Sequence, residues 1–225
     1  MKRFWFILAA FLGLAVQAVP ASADMVYSIN QNGSAFSPGT FGSISLHEVG
    51  SGSTAYVTVT VTLTGGYTFA NSGSGYAILW NIQGNPSLTV NNIGPTASDF
   101  ALQDGAVSGK GYTAGPFASG NCSKAGNSCF DYAIDYVGAQ GGQGTDTSLV
   151  FDVRNSIAGV FANSFIPNAN GYLFTFDVAL NGNTGNVAVK APEPATWLLF
   201  FAGLVGLTVL FQRRRQLARV TVSKR

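Results

Sequence analysis

Histidine occurs once in this chain of 225 residues, at His47, and cysteine only at Cys122 and Cys129. A Ser-His-Asp or Cys-His mechanism would therefore have to run through His47. That residue lies in Leu46-His47-Glu48-Val49, which reads as an ordinary strand end. One imidazole and one spaced cysteine pair also leave a zinc site short of ligands. Neither a Gly-X-Ser-X-Gly elbow nor a His-Glu-X-X-His pair occurs. Charge is scarce, at 10% of residues, and the basic part of it sits at the two ends. Between residues 24 and 190 only Lys110, Lys124, Arg154 and Lys190 stand against nine acids, a balance of −5. No basic patch exists there to neutralise phosphates, so nucleic acid is excluded as a partner. Helical spacing is nearly missing too. Only Ser156–Phe165, with Ile157, Val160, Phe161 and Phe165, predicts a short helix. No fixed period repeats along the chain, which disfavours solenoids and propellers.

What is present is alternation. In Thr54–Thr64, Ala55, Val57, Val59, Val61 and Leu63 point one way, and Tyr56 and the threonines point the other. The valine face should meet a core and the threonine face solvent. Phe130–Val137, Leu149–Val153 and Tyr172–Leu180 repeat the pattern. Tyr67–Ala70 and Tyr76–Trp80 flank Asn71-Ser72-Gly73-Ser74-Gly75, a hairpin-like loop. The glycine-rich stretch 138–147 predicts a flexible surface loop, and Asn181–Asn186 a turn into a last strand near Val187–Val189. Many short strands, glycine-rich turns and little helix predict an all-β body. The expected architecture is an antiparallel two-layer β-sandwich of jelly-roll or Ig-like type.

Both ends differ from this body. Lys2 and Arg3 precede an apolar run from Phe4 to Val16, and Ala21-Ser22-Ala23 supplies small residues before Asp24. Residues 1–23 thus read as a signal peptide cleaved between Ala23 and Asp24, with the exported domain over 24–190. At the other end, Pro192-Glu193-Pro194 leads into an uncharged run, 195–211, and then Arg213-Arg214-Arg215. As a helix that run would be about 25 Å long, and snorkelling arginines would make up the shortfall from a ~30 Å bilayer core. The arginines hold their end in the cytoplasm, so 216–225 reads as a cytoplasmic basic tail.

Pro192-Glu193-Pro194, the uncharged span and the arginine cluster, in that order at the C-terminus, resemble the PEP-CTERM sorting signal of Gram-negative bacteria. The resemblance covers residues 191–215 and implies an exosortase and the export machinery as partners. It also implies an inner-membrane-tethered precursor that ends at the cell surface or in the extracellular matrix. Such proteins are associated with bacteria that make exopolysaccharide, which makes that polymer a candidate partner.

Export exposes Cys122 and Cys129 to oxidising conditions, so a disulfide between them is expected. Closing so short a loop constrains the unfolded chain by about 2–3 kcal/mol on the entropy account. Asp131 and Asp135 share one face of a strand, about 13 Å apart at ~3.3 Å per residue. Glycosidase carboxylates lie about 5–9.5 Å apart, so this pair reads as solvated acids on an outer face. Asp146 and Asp152 lack the ligand order of an EF-hand. No catalytic residue, metal or cofactor is expected. Tyrosine and tryptophan are plentiful enough for a sugar-stacking platform, although Trp80 in Ala77-Ile78-Leu79-Trp80 reads as core. The sequence therefore points to a non-catalytic surface or matrix protein, structural or adhesive. A carbohydrate-binding module is the alternative, and a secreted polysaccharide hydrolase stands behind it.

Overall fold

The computed structural model describes residues 24–72, 76–102, 117, 129–138, 142–155 and 157–192. The expected signal peptide, the uncharged run 195–211, Glu193, Pro194, Arg213–Arg215, the tail 216–225 and Cys122 lie outside them. Among the described residues no helix is long and apolar enough to cross a membrane. The chain divides into two units between Lys190 and Ala191, and the first of them is the β body.

Twelve strands among the described residues build this body, all paired antiparallel. They are β1 (Met25–Ile29), β2 (Gln31–Asn32), β3 (Gly42–Val49), β4 (Tyr56–Leu63), β5 (Thr68–Phe69) and β6 (Tyr76–Trp80). Then come β7 (Leu88–Gly94), β8 (Phe100–Leu102), β9 (Tyr132–Tyr136), β10 (Ser148–Asn155), β11 (Tyr172–Leu180) and β12 (Asn183–Lys190). One sheet runs β1-β3-β4-β10-β7, and the other β2-β12-β11-β6-β9-β8, with β5 also on β11. Side chains of the two sheets touch: the Trp80 ring of β6 lies 5.4 Å from that of Phe151 on β10. Trp80 also stacks on Tyr132 at 5.7 Å. Trp80, Tyr132 and Phe151 are all fully buried, as expected for Trp80.

β4 behaves as its alternation requires. Val57, Val59, Val61 and Leu63 are buried, whereas Tyr56, Thr58 and Thr60 are half-buried and Thr62 is exposed. β-branched side chains suit this pleat because it leaves their favoured rotamer unclashed. β11 departs from the same rule. Phe174, Phe176 and Val178 are buried as expected, but so are Thr175, Asp177 and Ala179 between them. Ser72 reaches over that second face and caps the Asp177 carboxylate, directly after Ala70 N–H extends the β5 pairing to Asp177 O at 3.0 Å.

Several local expectations are corrected. β5 and β6 do not form a hairpin with each other. Both pair with β11, β5 opposite Val178 and Ala179, β6 opposite Phe174 and Thr175. The helix expected over Ser156–Phe165 is only a 3-10 turn at Ala162–Ser164. There Glu48 accepts from Ala162 N–H at 2.7 Å, and Ile157 is left exposed. The last strand is longer than Val187–Val189, starting at Asn183 directly after the two-residue turn Asn181-Gly182. Both turn residues have positive φ, 52° and 80°, the geometry of a tight hairpin turn that asparagine and glycine tolerate. The described part of the 138–147 loop is tied down rather than loose. Gln143 bridges to Ala70, Gly144 N–H donates to Phe69 O at 3.0 Å, and Asn71 N–H donates to Gly142 O at 3.2 Å. Gly144 sits so close to Tyr136 that a Cβ there would fall 2.2 Å from the ring.

Candidate functional site

The sorting segment begins where β12 ends. β12 holds its place because Val187, Ala188 and Val189 are buried and paired to β11 through Phe176, Thr175 and Phe174. Lys190, opposite Tyr172, is exposed, Ala191 is half-buried and Pro192 is exposed. The chain thus leaves the sheet within two residues of the motif. Lys190 is the last residue of β12, so only Ala191 stands between strand and Pro192.

The acids are not where a solvated face would put them. Asp131 is 7% exposed, one carboxylate oxygen has no partner, and burial raises its pKa. This overturns the expectation of an outer-face acid. The strand begins only at Tyr132, and Asp131 N–H is held by Asn81 Oδ1 at 2.7 Å in the turn before it. Asp135 is half-buried. Asp177, 1% exposed, accepts from Ser72 N–H and Oγ at 2.8–2.9 Å. Burial pushes its pKa up to about 6 despite those bonds. Asp152 is the counter-case. Burial pushes it up, but donors from Thr58, Asn92 and Arg154 outweigh that and hold it below the usual carboxylate range. The Arg154 guanidinium also lies 3.5 Å over the Tyr56 ring. Asp146 accepts from Thr96 Oγ1 at 2.7 Å and from Tyr136 OH at 2.8 Å. Burial, then that hydrogen bond to Asp146, raises the Tyr136 pKa.

His47 Nδ1 lies 2.5 Å from Asp24 Oδ1, with both side chains about half exposed at 55% and 54%. No serine or cysteine hydrogen-bonds this pair among the described residues, so no nucleophile completes a triad. No group of three His, Cys, Asp or Glu stands together among them either. Cys129 is buried, and no described cysteine is free.

Aromatic side chains are spent inside. Trp80, Phe117, Phe130, Tyr132 and Tyr136 are buried. Tyr67 is wedged edge-on between Phe36 and Phe41 at 5.1 Å from each, Tyr172 packs on Phe117 at 4.8 Å, and Tyr112 lies outside the described residues. Tyr56 and Tyr76 stay half-buried, Tyr56 with the Arg154 guanidinium over its ring. Most of the donors to the buried acids escaped the sequence reading because the pairings are long-range: Ser72 and Asp177 are 105 residues apart. The one local signal was an aspartate inside an otherwise apolar strand, Phe174-Thr175-Phe176-Asp177-Val178.

A folded all-β body followed at once by a C-terminal peptide is the build of a domain that carries an address. Residues 190–215 match the family model of the PEP-CTERM protein-sorting motif. The chain carries that motif in its C-terminal segment, and the motif implies exosortase processing and a secreted destination. No curated protein and no solved structure matches the chain.

Proposed function

We propose that residues 24–190 are a non-catalytic β-sandwich of jelly-roll or Ig-like type, delivered to the cell surface or extracellular matrix by an exosortase. The role of the body is structural or adhesive, with exopolysaccharide as the candidate matrix partner. The observation that carries the reading is the sorting motif at 190–215, which begins in sequence where the last strand ends. Two features of the body support a passive role: Asp131, Asp152 and Asp177 are buried, and His47 has no nucleophile beside it among the described residues. In this reading residues 1–23 are removed, the run 195–211 tethers the precursor as a transmembrane helix, and Cys122 pairs with Cys129.

Intact-mass measurement of the surface protein tests all of this together. The mature chain should begin at Asp24, lack Arg213–Arg215, and gain the mass of two hydrogens on reduction. Glu193→Gln should leave the full-length form in the inner membrane. A surface protein that still ends in Lys224-Arg225 would refute processing and leave a membrane-tethered β-protein. Polysaccharide hydrolysis by the purified body, lost in Asp131→Asn or Asp135→Asn, would overturn the non-catalytic role.

A further inference from the structure

The hand-over from body to motif is abrupt in a way that bears on recognition. Val187 and Ala188 are bonded into the sheet on both sides, to Phe176 and Thr175 of β11 and to Asn32 and Gln31 of β2. Asn30 N–H adds a bond to Ala188 O at 3.3 Å. Val189 faces Phe174, and all three of Val187, Ala188 and Val189 are at most 1% exposed. Beyond Val189 the register with β11 shifts at a bulge between Tyr172 and Phe174, and Lys190, the last residue of β12, pairs with Tyr172. Lys190 is exposed, and Pro192 is exposed and has no N–H to give to a ladder.

An enzyme that grips a peptide in extended form needs that peptide's backbone groups and side chains for itself. Backbone already bonded to two neighbouring strands becomes available only when the strand opens locally, and cleavage then follows the open population. Ala191 and Pro192 meet no such obstacle; Val187 and Ala188 do on both sides, and Val189 and Lys190 are still paired to β11.

We infer that β12 is a gate on processing. The folded strand sets Ala191 as the N-terminal limit of what an exosortase can grip, and any hold upstream of it waits for the end of β12 to open. The gate rests on the reading of 190–215 as a processed signal, and the experiment separates the two.

The test is pulse-chase of the full-length chain in a Gram-negative host that carries an exosortase. Inserting Gly-Ser-Gly-Ser-Gly-Ser between Lys190 and Ala191 moves the motif away from the sheet without touching a packed residue. It should speed processing on the order of tenfold. Val189→Ala, which loosens the end of β12, should speed processing several-fold at the native spacing and change nothing in the lengthened chain. An unchanged rate after the insertion overturns the gate. So does acceleration by Val189→Ala in the lengthened chain, since that places the effect in the whole body rather than in β12. Glu193→Gln guards the underlying reading. If it is processed at the wild-type rate, the sorting reading fails. If it blocks processing while the insertion changes nothing, the gate alone fails.

Discussion

β4 and β11 carry the two clearest alternating patterns in the chain and end in opposite surroundings. Along β4 every second residue is buried, and the threonine side keeps access to water. Along β11 both sides are closed from Leu173 to Ala179. The difference lies in what lies over the strand. On the outer side of β4, Arg154 lies over Tyr56 and Asp152 accepts from Thr58 at 2.8 Å. On the side of β11 that carries Asp177, the chain at Ser72 reaches the carboxylate with its N–H and hydroxyl. Alternation therefore reports which face meets the core, but it is silent on whether the other face stays open. An acid on a covered face becomes a buried charge that needs donors.

The comparison holds only if both strands draw on one core, and Trp80 is where that can be broken. It lies beside β11 through the Trp80–Phe174 register and contacts Phe151 on β10, the neighbour of β4. Removing so large a fully buried ring should cost about 4 kcal/mol. Urea unfolding of Trp80→Ala should show that loss in a single transition. A loss under about 1 kcal/mol, or two separate transitions, would mean the sheets do not share a core.

The covered face can be sharpened through pH. The Asp177 carboxyl has a folded pKa of about 6, raised from 3.8. The folded state therefore holds its proton more tightly than the unfolded chain does. Its stabilising contribution is complete below the unfolded value and is lost as pH rises through about 6. Asp131 shifts in the same direction and Asp152 in the opposite one. Only the difference between wild type and Asp177→Asn isolates this group. Between pH 4 and pH 7 the wild type should lose stability relative to the variant, on the order of 2 kcal/mol. Parallel pH curves would show that Asp177 does not feel its burial.

The same contrast decides what could be read from residues alone. Strands β4, β9, β10 and β11 were legible because two-residue alternation is a local property. The sorting motif was legible for a related reason: it is a short peptide whose parts adjoin in sequence, with no need of the fold. Partnerships across the fold were not legible. Nothing local says that Ser72 would reach Asp177, that β5 and β6 would share an edge of β11, or that Asp131 would be drawn inside by Asn81. The helix expected at Ser156–Phe165 failed similarly. Apolar residues at helical spacing there serve a turn pinned by Glu48, with Val160 and Phe165 buried and Ile157 left outside.

The open face gives the smallest effect and the cleanest control. Thr60 projects outward from β4, opposite Ser45 on β3 and Val150 on β10. Each of its cross-strand neighbours is half-buried, and its hydroxyl makes no hydrogen bond among the described residues. Thr60→Ala gives up some β-propensity and a partly exposed methyl but strands no buried donor, so it should change stability by less than about 0.5 kcal/mol. Its neighbour Val61 is fully buried. Val61→Ala removes two methyl-sized groups from the core and leaves a cavity, a cost of about 2 kcal/mol. Thermal unfolding of the two single variants tests adjacent positions on the same strand, each paired to both β3 and β10. A near-zero shift for Thr60→Ala beside a clear fall for Val61→Ala would establish that the outer side of β4 is open to water. A loss at Thr60 that approaches that at Val61 would mean that this face, like that of β11, is covered.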